Sequence, residues 1–312
     1  MADRNAFTKE TTTEDVLDGI NLNGKTVVIT GGTSGLGAES ARSMAARGAD
    51  VLITGRSLEK AQASAAKISA EAGREVAAEE LELGSFASIR AFAERVTANH
   101  PKIDILINNA GVMACPYAET EDGFEMQFGS NHMGHFLMTS LLMPSLGDGS
   151  RVVSLSSSAH QFAPVFFDDP GFKTNDYDKW AAYGQSKTAN ALFAVGLNKR
   201  LADKGAEAFA VHPGVIMTEL ARHMTEEDQA LFAEGFESGA IFMKTVEQGA
   251  ATQVYAATAP ELAGKGGSYL ADVQIAPIED GTEDFAKVRP YAIDEADAER
   301  LWSLSEQMVA AV

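Results

Sequence analysis

The sequence predicts an α/β fold in which helices cover both faces of a parallel, doubly wound β-sheet. From Lys25 onward, short apolar runs rich in β-branched residues alternate with longer stretches of helical periodicity. Strands that alternate with helices are joined by right-handed crossovers, which make neighbouring strands parallel. No linker, repeat or low-complexity segment interrupts residues 25–312. We therefore predict a single domain over that range.

The individual elements follow from hydrophobic periodicity and from turn residues at the ends of each run. Strands are predicted near 26–30, 50–54, 75–81, 103–107, 151–155, 207–211 and 268–271. Helices are predicted near 35–47, 57–72, 85–98, 122–146 and 180–202, with others after residue 220. The polar residues 1–24 are predicted to form an N-terminal arm. The long connections near 158–180 and 215–245 are predicted to be insertions that border the substrate side of a cleft.

Composition limits the partners and the compartment. The 25 lysines and arginines against 44 aspartates and glutamates give a net charge of −19. Such a surface repels nucleic acid and anionic membranes, so neither is an expected partner. Cys115 is the only cysteine and the N-terminus has no apolar signal core, which predicts a cytoplasmic protein. The histidines show no metal-ligand spacing, and no metal is expected.

A glycine-rich stretch, Thr-Gly-Gly-Thr-Ser-Gly-Leu-Gly at 30–37, lies between the first strand and the first long helix. Glycines let the backbone turn sharply and approach a pyrophosphate, which then meets the free N–H groups of a helix N-terminus. Taken alone, the stretch is also compatible with a plain strand-to-helix turn. The residues predicted to contact a dinucleotide here are Gly31, Thr33, Ser34, Gly35, Leu36 and Gly37.

The end of the second strand bears on the choice of dinucleotide. An acidic residue at this point would accept hydrogen bonds from the ribose hydroxyls of NAD, but residues 54–57 contain none. Arg56 offers a planar guanidinium suited to a 2′-phosphate, and Ser57 offers a further donor. NADP(H) is therefore predicted over NAD(H), with a solvated arginine as the alternative interpretation.

Tyr183 is the one tyrosine of six that has a lysine, Lys187, four residues later. Residues four apart share one face of a helix, and an apolar stripe runs beside this face. A free tyrosine has a pKa near ~10, and a neighbouring ammonium group favours the phenolate and lowers that pKa. The pair is therefore predicted to transfer protons, although a surface pair would show the same spacing.

Together and in this order, these motifs resemble the short-chain dehydrogenase/reductase superfamily, whose members have a Rossmann-type fold. The sequence is most similar to the branch that contains retinol dehydrogenases and WW-domain oxidoreductases. That similarity rests on Asn-Asn-Ala-Gly-Val-Met-Ala-Cys-Pro at 108–116, Asn-His-Met-Gly-His-Phe at 131–136 and Val-Arg-Pro-Tyr-Ala at 288–292. The resemblance covers roughly residues 20–300, nearly the whole chain.

The resemblance implies a role for each matching residue. Tyr183 exchanges a proton with the substrate oxygen, and Lys187 lowers the pKa of Tyr183 while binding the nicotinamide ribose. Ser157 matches the serine that bonds the same oxygen, with Ser156 left open as the alternative, and Asn131 matches the asparagine that holds a water in the proton relay. Further cofactor contacts are implied at Glu82, Leu83, Asn109, Ala110, Gly111, Pro213, Gly214, Val215 and Thr218.

The predicted function is an NADP(H)-dependent oxidoreductase that interconverts an alcohol and a carbonyl. The two insertions are rich in aromatic residues and methionine, which predicts a hydrophobic or aromatic substrate; packing onto the domain or onto a second subunit is the alternative. Two other functions stay open: a nucleotide-binding regulatory protein without turnover, and a reductase of C=C or imine bonds. The family's four-helix interface implies a homo-oligomer, either a dimer or a tetramer.

Overall fold

A central β-sheet organises the computed structural model, which describes residues 7–239, 241–281 and 284–312. Its strands are β1 (Thr26–Ile29), β2 (Asp50–Gly55), β3 (Val76–Glu80), β4 (Ile105–Asn108), β5 (Arg151–Leu155), β6 (Glu207–His212), β7 (Tyr269–Ala271) and β8 (Gln274–Ile275). They follow the order β3-β2-β1-β4-β5-β6-β7-β8 across the sheet. The chain therefore winds outward from β1 to β3 and returns to continue on the other side, as predicted for a doubly wound fold.

The strands from β1 to β7 pair in parallel, and only β8 departs from the prediction by pairing antiparallel with β7. Asp272 and Val273 connect these two strands, and both have positive φ angles. This backbone belongs to a tight hairpin turn, in which Asn or Gly is the usual residue. Because a β-branched valine occupies the turn, the sequence carries no signal for the hairpin.

Helices cover both faces of the sheet. They are α1 (Thr13–Val16), α2 (Gly35–Ala46), α3 (Leu58–Ala72), α4 (Phe86–Asn99), α5 (Met126–Phe128), α6 (Gly134–Leu142), α7 (Lys179–Leu201), α8 (Glu226–Glu237), α9 (Val246–Thr258) and α10 (Glu295–Ala310). The helix predicted over 122–146 is shorter and is interrupted, because the π-helical turn Gly129–Met133 joins α5 to α6. Turns of this kind occur often at functional sites.

Two hydrophobic cores lie on opposite faces of the sheet because successive strand residues point to opposite sides. Along β1, Val27 and Ile29 enter the core that α2 and α9 cover. Val28 enters the other core, which α4, α6, α7 and α10 cover. The strands of the middle of the sheet are thus buried on both faces, which explains their continuous apolar sequence.

The described part of the predicted N-terminal arm packs onto the first of these cores. Phe7 is buried and its ring meets the Tyr255 ring edge-on at 6.0 Å. Thr13 donates a hydrogen bond from its hydroxyl to Glu39 of α2. Residues 1–6 of the arm and residue 240 of the second insertion lie outside the described residues. Within the described ranges, none of the helices combines the length and the apolar character needed to cross a membrane.

Candidate active site

A cleft of about 710 Å³ opens where the carboxyl ends of the strands β1 to β6 meet. This is the edge at which doubly wound sheets bind their ligands, next to the point where the strand order reverses. Most residues predicted to contact a cofactor or substrate line it, namely Gly31, Thr33, Ser34, Gly35, Leu36, Arg56, Glu82, Leu83, Asn109, Ala110, Gly111, Ser157, Tyr183, Lys187, Pro213, Gly214, Val215 and Thr218. Three predicted residues, Gly37, Ser57 and Asn131, are not on its lining.

The glycine-rich turn leaves space for a ligand at the start of α2. Gly31 has a φ of +65°, and a Cβ there would lie 2.9 Å from the Cα of Ala110. Ser34 precedes α2 without bonding any backbone N–H through its side chain, so the first N–H groups of the helix are left for an anion. Gly37 supports the turn from behind, since a Cβ there would lie 2.5 Å from the carbonyl oxygen of Gly31. These features fit the pyrophosphate of a dinucleotide.

A buried hydrogen-bond network ties the ends of β1 and β4 together. The hydroxyl of Thr30 accepts hydrogen bonds from the backbone N–H groups of Asn109 (2.9 Å) and Ala110 (3.0 Å). His135 Nδ1 lies 2.9 Å from the carbonyl oxygen of Asn131, which can only accept. His135 Nε2 is therefore the acceptor for the hydroxyl of Thr30, 2.9 Å away. The sequence alone does not predict this link, because its partners are far apart along the chain.

Arg56 and Ser57, both predicted to bind a phosphate, are placed differently. Arg56 is exposed on the cleft lining, and it forms no hydrogen bond or ion pair with any other residue that the structure describes. Ser57 precedes α3, and its hydroxyl accepts a hydrogen bond from the backbone N–H of Lys60 at 3.4 Å. The guanidinium of Arg56 is thus available to a ligand, whereas Ser57 caps a helix.

The pair predicted to be catalytic lies deep in the structure. Tyr183 and Lys187 are each only 4% exposed, and Lys187 Nζ lies 5.6 Å from the centre of the Tyr183 ring. Burial lowers the pKa of Lys187 to about 8. Burial also raises the pKa of Tyr183 to about 12, and a hydrogen bond with Ser157 opposes that rise only in part. Tyr183 is therefore protonated near neutral pH.

Two features of this pair differ from the sequence expectation. Every residue of α7 from 182 to 194 is buried, so the pair lies in the interior rather than at the edge of a buried face. Lys187 Nζ donates a hydrogen bond to the carbonyl oxygen of Leu155 at 3.0 Å. Desolvation disfavours the charged form of Lys187 and so lowers its pKa. In the protein alone, the effect of burial on the pKa of Tyr183 thus outweighs that of the neighbouring lysine.

The structure separates the two candidate serines that follow β5. Ser156 is buried, and its hydroxyl donates to the carbonyl oxygen of Lys187 at 2.7 Å. Both serines line the cleft, but it is Ser157 that bonds Tyr183. The geometry therefore brings Ser157, rather than Ser156, to the hydroxyl of Tyr183.

Asn131 lies within the π-helical turn and is completely buried. Its side chain accepts a hydrogen bond from the N–H of Val112 (2.8 Å) and donates to the carbonyl of the same residue (2.9 Å). It also donates to the hydroxyl of Ser186 at 2.9 Å. These bonds fix the loop after β4, which lines the cleft, to α7, the helix that carries Tyr183 and Lys187.

Contacts with Lys244 hold the segment after β6 against the cleft. Gly214 has a φ of +97°, and a Cβ there would lie 2.7 Å from the side chain of Lys244. The backbone N–H of Lys244 donates to the carbonyl oxygen of Val215 at 2.9 Å. The buried ammonium of Lys244 lies 2.6 Å from a carboxylate oxygen of Asp272. These contacts position Pro213, Gly214 and Val215 on the cleft lining.

An aromatic wall stands beside Tyr183. The ring of Trp180 lies 6.4 Å from the rings of Tyr183 and Phe162, and 6.1 Å from that of Phe232 in α8, measured between centres. The indole N–H of Trp180 donates to Asp228 of α8 at 3.0 Å. Trp180 of the first predicted insertion therefore lies beside Tyr183, and Phe232 of the second packs against Trp180. We call residues 215–245, apart from residue 240, the lid.

Across the described ranges, no three His, Cys, Asp or Glu side chains are placed to hold a metal ion.

Comparison with known proteins agrees with this geometry. The sequence profile of the short chain dehydrogenase family matches residues 25–229. The chain is 42% identical to human retinol dehydrogenase 13 over 295 residues, covering 92% of this chain and 85% of the relative. It is 41% identical over 300 residues to a "Probable oxidoreductase" of Streptomyces lividans, covering 94% of this chain and all of the relative.

A solved structure is also similar. The short chain dehydrogenase of Burkholderia cenocepacia J2315, crystallised in complex with NADP, superposes with a TM-score of 0.65 at 28% identity. The match covers 80% of this chain and 97% of that one. The family profile, the two relatives and this structure support the same assignment. The chain belongs to the short-chain dehydrogenase/reductase family, in its retinol-dehydrogenase-like branch, and is an NAD(P)-binding oxidoreductase of alcohols and carbonyls.

Proposed function

We propose that this protein is an NADP(H)-dependent oxidoreductase in which Tyr183 transfers the proton to or from the substrate oxygen. One observation carries the proposal: a buried tyrosine, bonded to Ser157 and close to Lys187, faces the same cleft as the glycine-rich turn. The nicotinamide cofactor, when bound, supplies or accepts the hydride. The residues of this chain then have to hold the substrate oxygen and manage its proton.

The proton step follows from the pKa of Tyr183. With a pKa raised to about 12, the phenol keeps its proton near neutral pH and can donate it to the oxygen of a carbonyl that is being reduced. Ser157, which bonds Tyr183, would donate a hydrogen bond to the same oxygen and so fix its position. In the direction of alcohol oxidation Tyr183 has to accept a proton, and a charged Lys187 nearby would favour the phenolate that does so.

Several residues of the cleft suit the parts of NADP(H). The N–H groups at the start of α2 suit the pyrophosphate, and the unpaired guanidinium of Arg56 suits the 2′-phosphate. Residues 213–218 would lie beside the nicotinamide, and Lys187 beside its ribose. The crystallised complex of the Burkholderia enzyme with NADP supports this choice of coenzyme.

The substrate is proposed to be hydrophobic or aromatic. Phe162, Trp180 and Phe232 line the cleft beside Tyr183, together with Met217 and Met224 of the lid. Such side chains line pockets for apolar ligands, and methionine adapts to irregular shapes. The printed name of the human relative, a retinol dehydrogenase, agrees with an apolar alcohol or aldehyde as substrate.

A direct test is to incubate the purified protein with NADPH or NADH and a panel of aldehydes and ketones that range from sugars to aromatic and long-chain compounds. We expect turnover with NADPH, with the highest kcat/KM for apolar carbonyls. An equal or higher kcat/KM with NADH would show that the coenzyme is wrongly assigned. Tight binding of NADPH without turnover of any carbonyl, imine or activated C=C compound would instead indicate a regulatory protein.

A further inference from the structure

An arginine of the lid lies at the cofactor cleft and has no assigned task. Arg222 belongs to the 3₁₀ turn Glu219–His223, and it lines the cleft together with Thr218, which precedes that turn. A Cβ at Gly35 would lie 3.4 Å from Thr218 Cγ2, so the lid begins in contact with the N-terminus of α2. Because a 3₁₀ turn rises only about 2 Å per residue, Arg222 stays close to this end of the cleft.

The charge environment of Arg222 differs from that of most arginines in the chain. Among the residues that the structure describes, seven arginines form ion pairs with carboxylates: Arg42, Arg47, Arg74, Arg95, Arg200, Arg289 and Arg300. Arg222 donates a hydrogen bond to the carbonyl oxygen of Glu219 at 2.9 Å. Within the described part of the chain, neither Arg222 nor Arg56 pairs with a carboxylate. The cleft thus carries two arginines that no described carboxylate neutralises directly, beside the lining residues Glu82, Glu119, Glu121 and Glu219.

The charges of both arginines reach His223, at the end of the lid turn. His223, the neighbour of Arg222, has its pKa lowered first by partial burial and then by the charges of Arg222 and Arg56. A charge disfavours an imidazolium only when it is near. The end of the lid turn therefore lies within electrostatic reach of Arg56, which follows β2.

We propose that Arg222 is a second phosphate-binding arginine, which reaches from the lid toward the bound dinucleotide while Arg56 reaches from the sheet. The proposal rests on the proposed function, because it needs a dinucleotide in the cleft. A guanidinium group binds phosphate through paired N–H donors. The phosphate is either the pyrophosphate, which NAD(H) and NADP(H) share, or the 2′-phosphate, which only NADP(H) carries. In both cases the contact joins the lid to the cofactor.

Binding measured without substrate tests the proposal. Dissociation constants are determined by isothermal titration calorimetry for NADPH, NADH, 2′,5′-ADP and ADP. The variants are Arg222→Ala, Arg56→Ala and the control Arg90→Ala. Arg90 is exposed on α4, away from the cleft lining, and its loss changes the net charge by the same amount. Thermal unfolding of each variant verifies that it is folded.

We expect Arg222→Ala to weaken NADPH binding about tenfold, which corresponds to the loss of one charge-assisted hydrogen bond, and Arg90→Ala to leave it unchanged. If the 2′-phosphate is the partner, only NADPH and 2′,5′-ADP lose affinity. If the pyrophosphate is the partner, NADPH, NADH and ADP lose affinity alike, whereas 2′,5′-ADP, which carries a single phosphate at its 5′ position, loses less. The salt dependence of NADPH binding should also be shallower in Arg222→Ala than in wild type.

Affinities of Arg222→Ala that match those of Arg90→Ala for all four ligands would overturn the role of Arg222, whatever coenzyme the wild type prefers. Equal affinity of the wild type for NADPH and NADH would contradict only the coenzyme preference, and the pyrophosphate result would still decide the role of Arg222. Failure of the wild type to bind any of the four ligands would overturn the proposed function, and the role of Arg222 with it.

Discussion

The two sides of the cleft are built in different ways. On the sheet side, the chemical groups are buried and tied by hydrogen bonds: Lys187 bonds the carbonyl of Leu155, and Asn131 bonds both polar groups of the Val112 backbone. On the lid side, Met217 is 58% exposed and Leu231 is 64% exposed. One side therefore has its geometry fixed by the folded core, whereas the other presents adaptable apolar side chains to the solvent.

This difference suggests a division of labour between chemistry and recognition. Proton transfer requires donor and acceptor to be held at hydrogen-bond distance, which a buried, bonded residue provides. Recognition of an apolar molecule requires area and shape, which loops and methionines provide with less fixed geometry. Substitutions on the sheet side should therefore affect kcat or coenzyme binding, and substitutions on the lid side should affect the choice of substrate.

The largest effect is expected for Tyr183→Phe, which removes the proton donor and keeps the ring. We expect kcat to fall by about 10²–10⁴, the usual contribution of general acid–base catalysis, while the dissociation constant for NADPH stays within a factor of about two. Steady-state kinetics and calorimetry measure the two quantities. Tyr117→Phe, at an exposed position, is the control. Near-wild-type turnover in Tyr183→Phe would rule out the proposed proton transfer.

The second effect concerns the coenzyme. Arg56→Ala should cost about 1.5–3 kcal/mol of NADPH binding, the range of a hydrogen bond to a charged group, and should leave NADH binding nearly unchanged. The ratio of kcat/KM for NADPH and NADH measures the preference in wild type and variant. If the ratio stays the same in Arg56→Ala, the 2′-phosphate is bound elsewhere.

The third effect distinguishes a buried histidine of the π-helical turn, His132, from an exposed histidine of the lid, His223. Burial lowers the pKa of His132 to about 3, so between about pH 6.5 and pH 3 the unfolded chain binds a proton that the folded chain does not. Stability therefore falls with decreasing pH in that window, by about 1.4 kcal/mol per pH unit for such a group.

Urea unfolding at pH 7, 6 and 5 tests this expectation. His132→Gln, which can still bond Ser305, should show a slope shallower than wild type by one proton. His223→Gln on the exposed lid should change the slope less, because an exposed imidazole can be protonated in the folded state as well. Equal slopes in wild type and His132→Gln would show that His132 is not kept neutral by burial.

The features on the two sides of the cleft differed in how far the sequence could predict them. Strand ends were predictable because an apolar run followed by turn residues marks them locally. The spacing of four also predicted that Tyr183 and Lys187 share one helix. The burial of α7 on all sides was not, because it depends on packing against distant elements such as α10 and the π-helical turn. The relative positions of α5 and α6 likewise depend on that turn, which has no local sequence signal.

Links between distant residues were also beyond the sequence argument. Thr30 bonds His135 across 105 positions, and Trp180 bonds Asp228 across 48. Each residue alone has an ordinary interpretation as a strand end, a helix residue or a cap. Only the fold brings them together, and these links hold the cleft in shape. The composition of the insertions predicted an apolar surface, but not which aromatic ring would stand next to Tyr183.

The smallest effect per step is expected when the substrate is lengthened. The dependence of kcat/KM on substrate length tests the lid. If the apolar wall binds the substrate, each added methylene in a series of straight-chain aldehydes should contribute about 0.8 kcal/mol, or about a fourfold rise in kcat/KM, until the cleft is filled.

Trp180→Ala removes the ring that joins Phe162, Tyr183 and Phe232, and should make the rise shallower. Trp180→Phe keeps a ring but loses the bond to Asp228, so it separates the contribution of the apolar surface from that of the anchored lid. A flat or falling series in wild type would show that the aromatic side chains serve only to pack the lid onto the domain, and that recognition of the substrate lies elsewhere in the cleft.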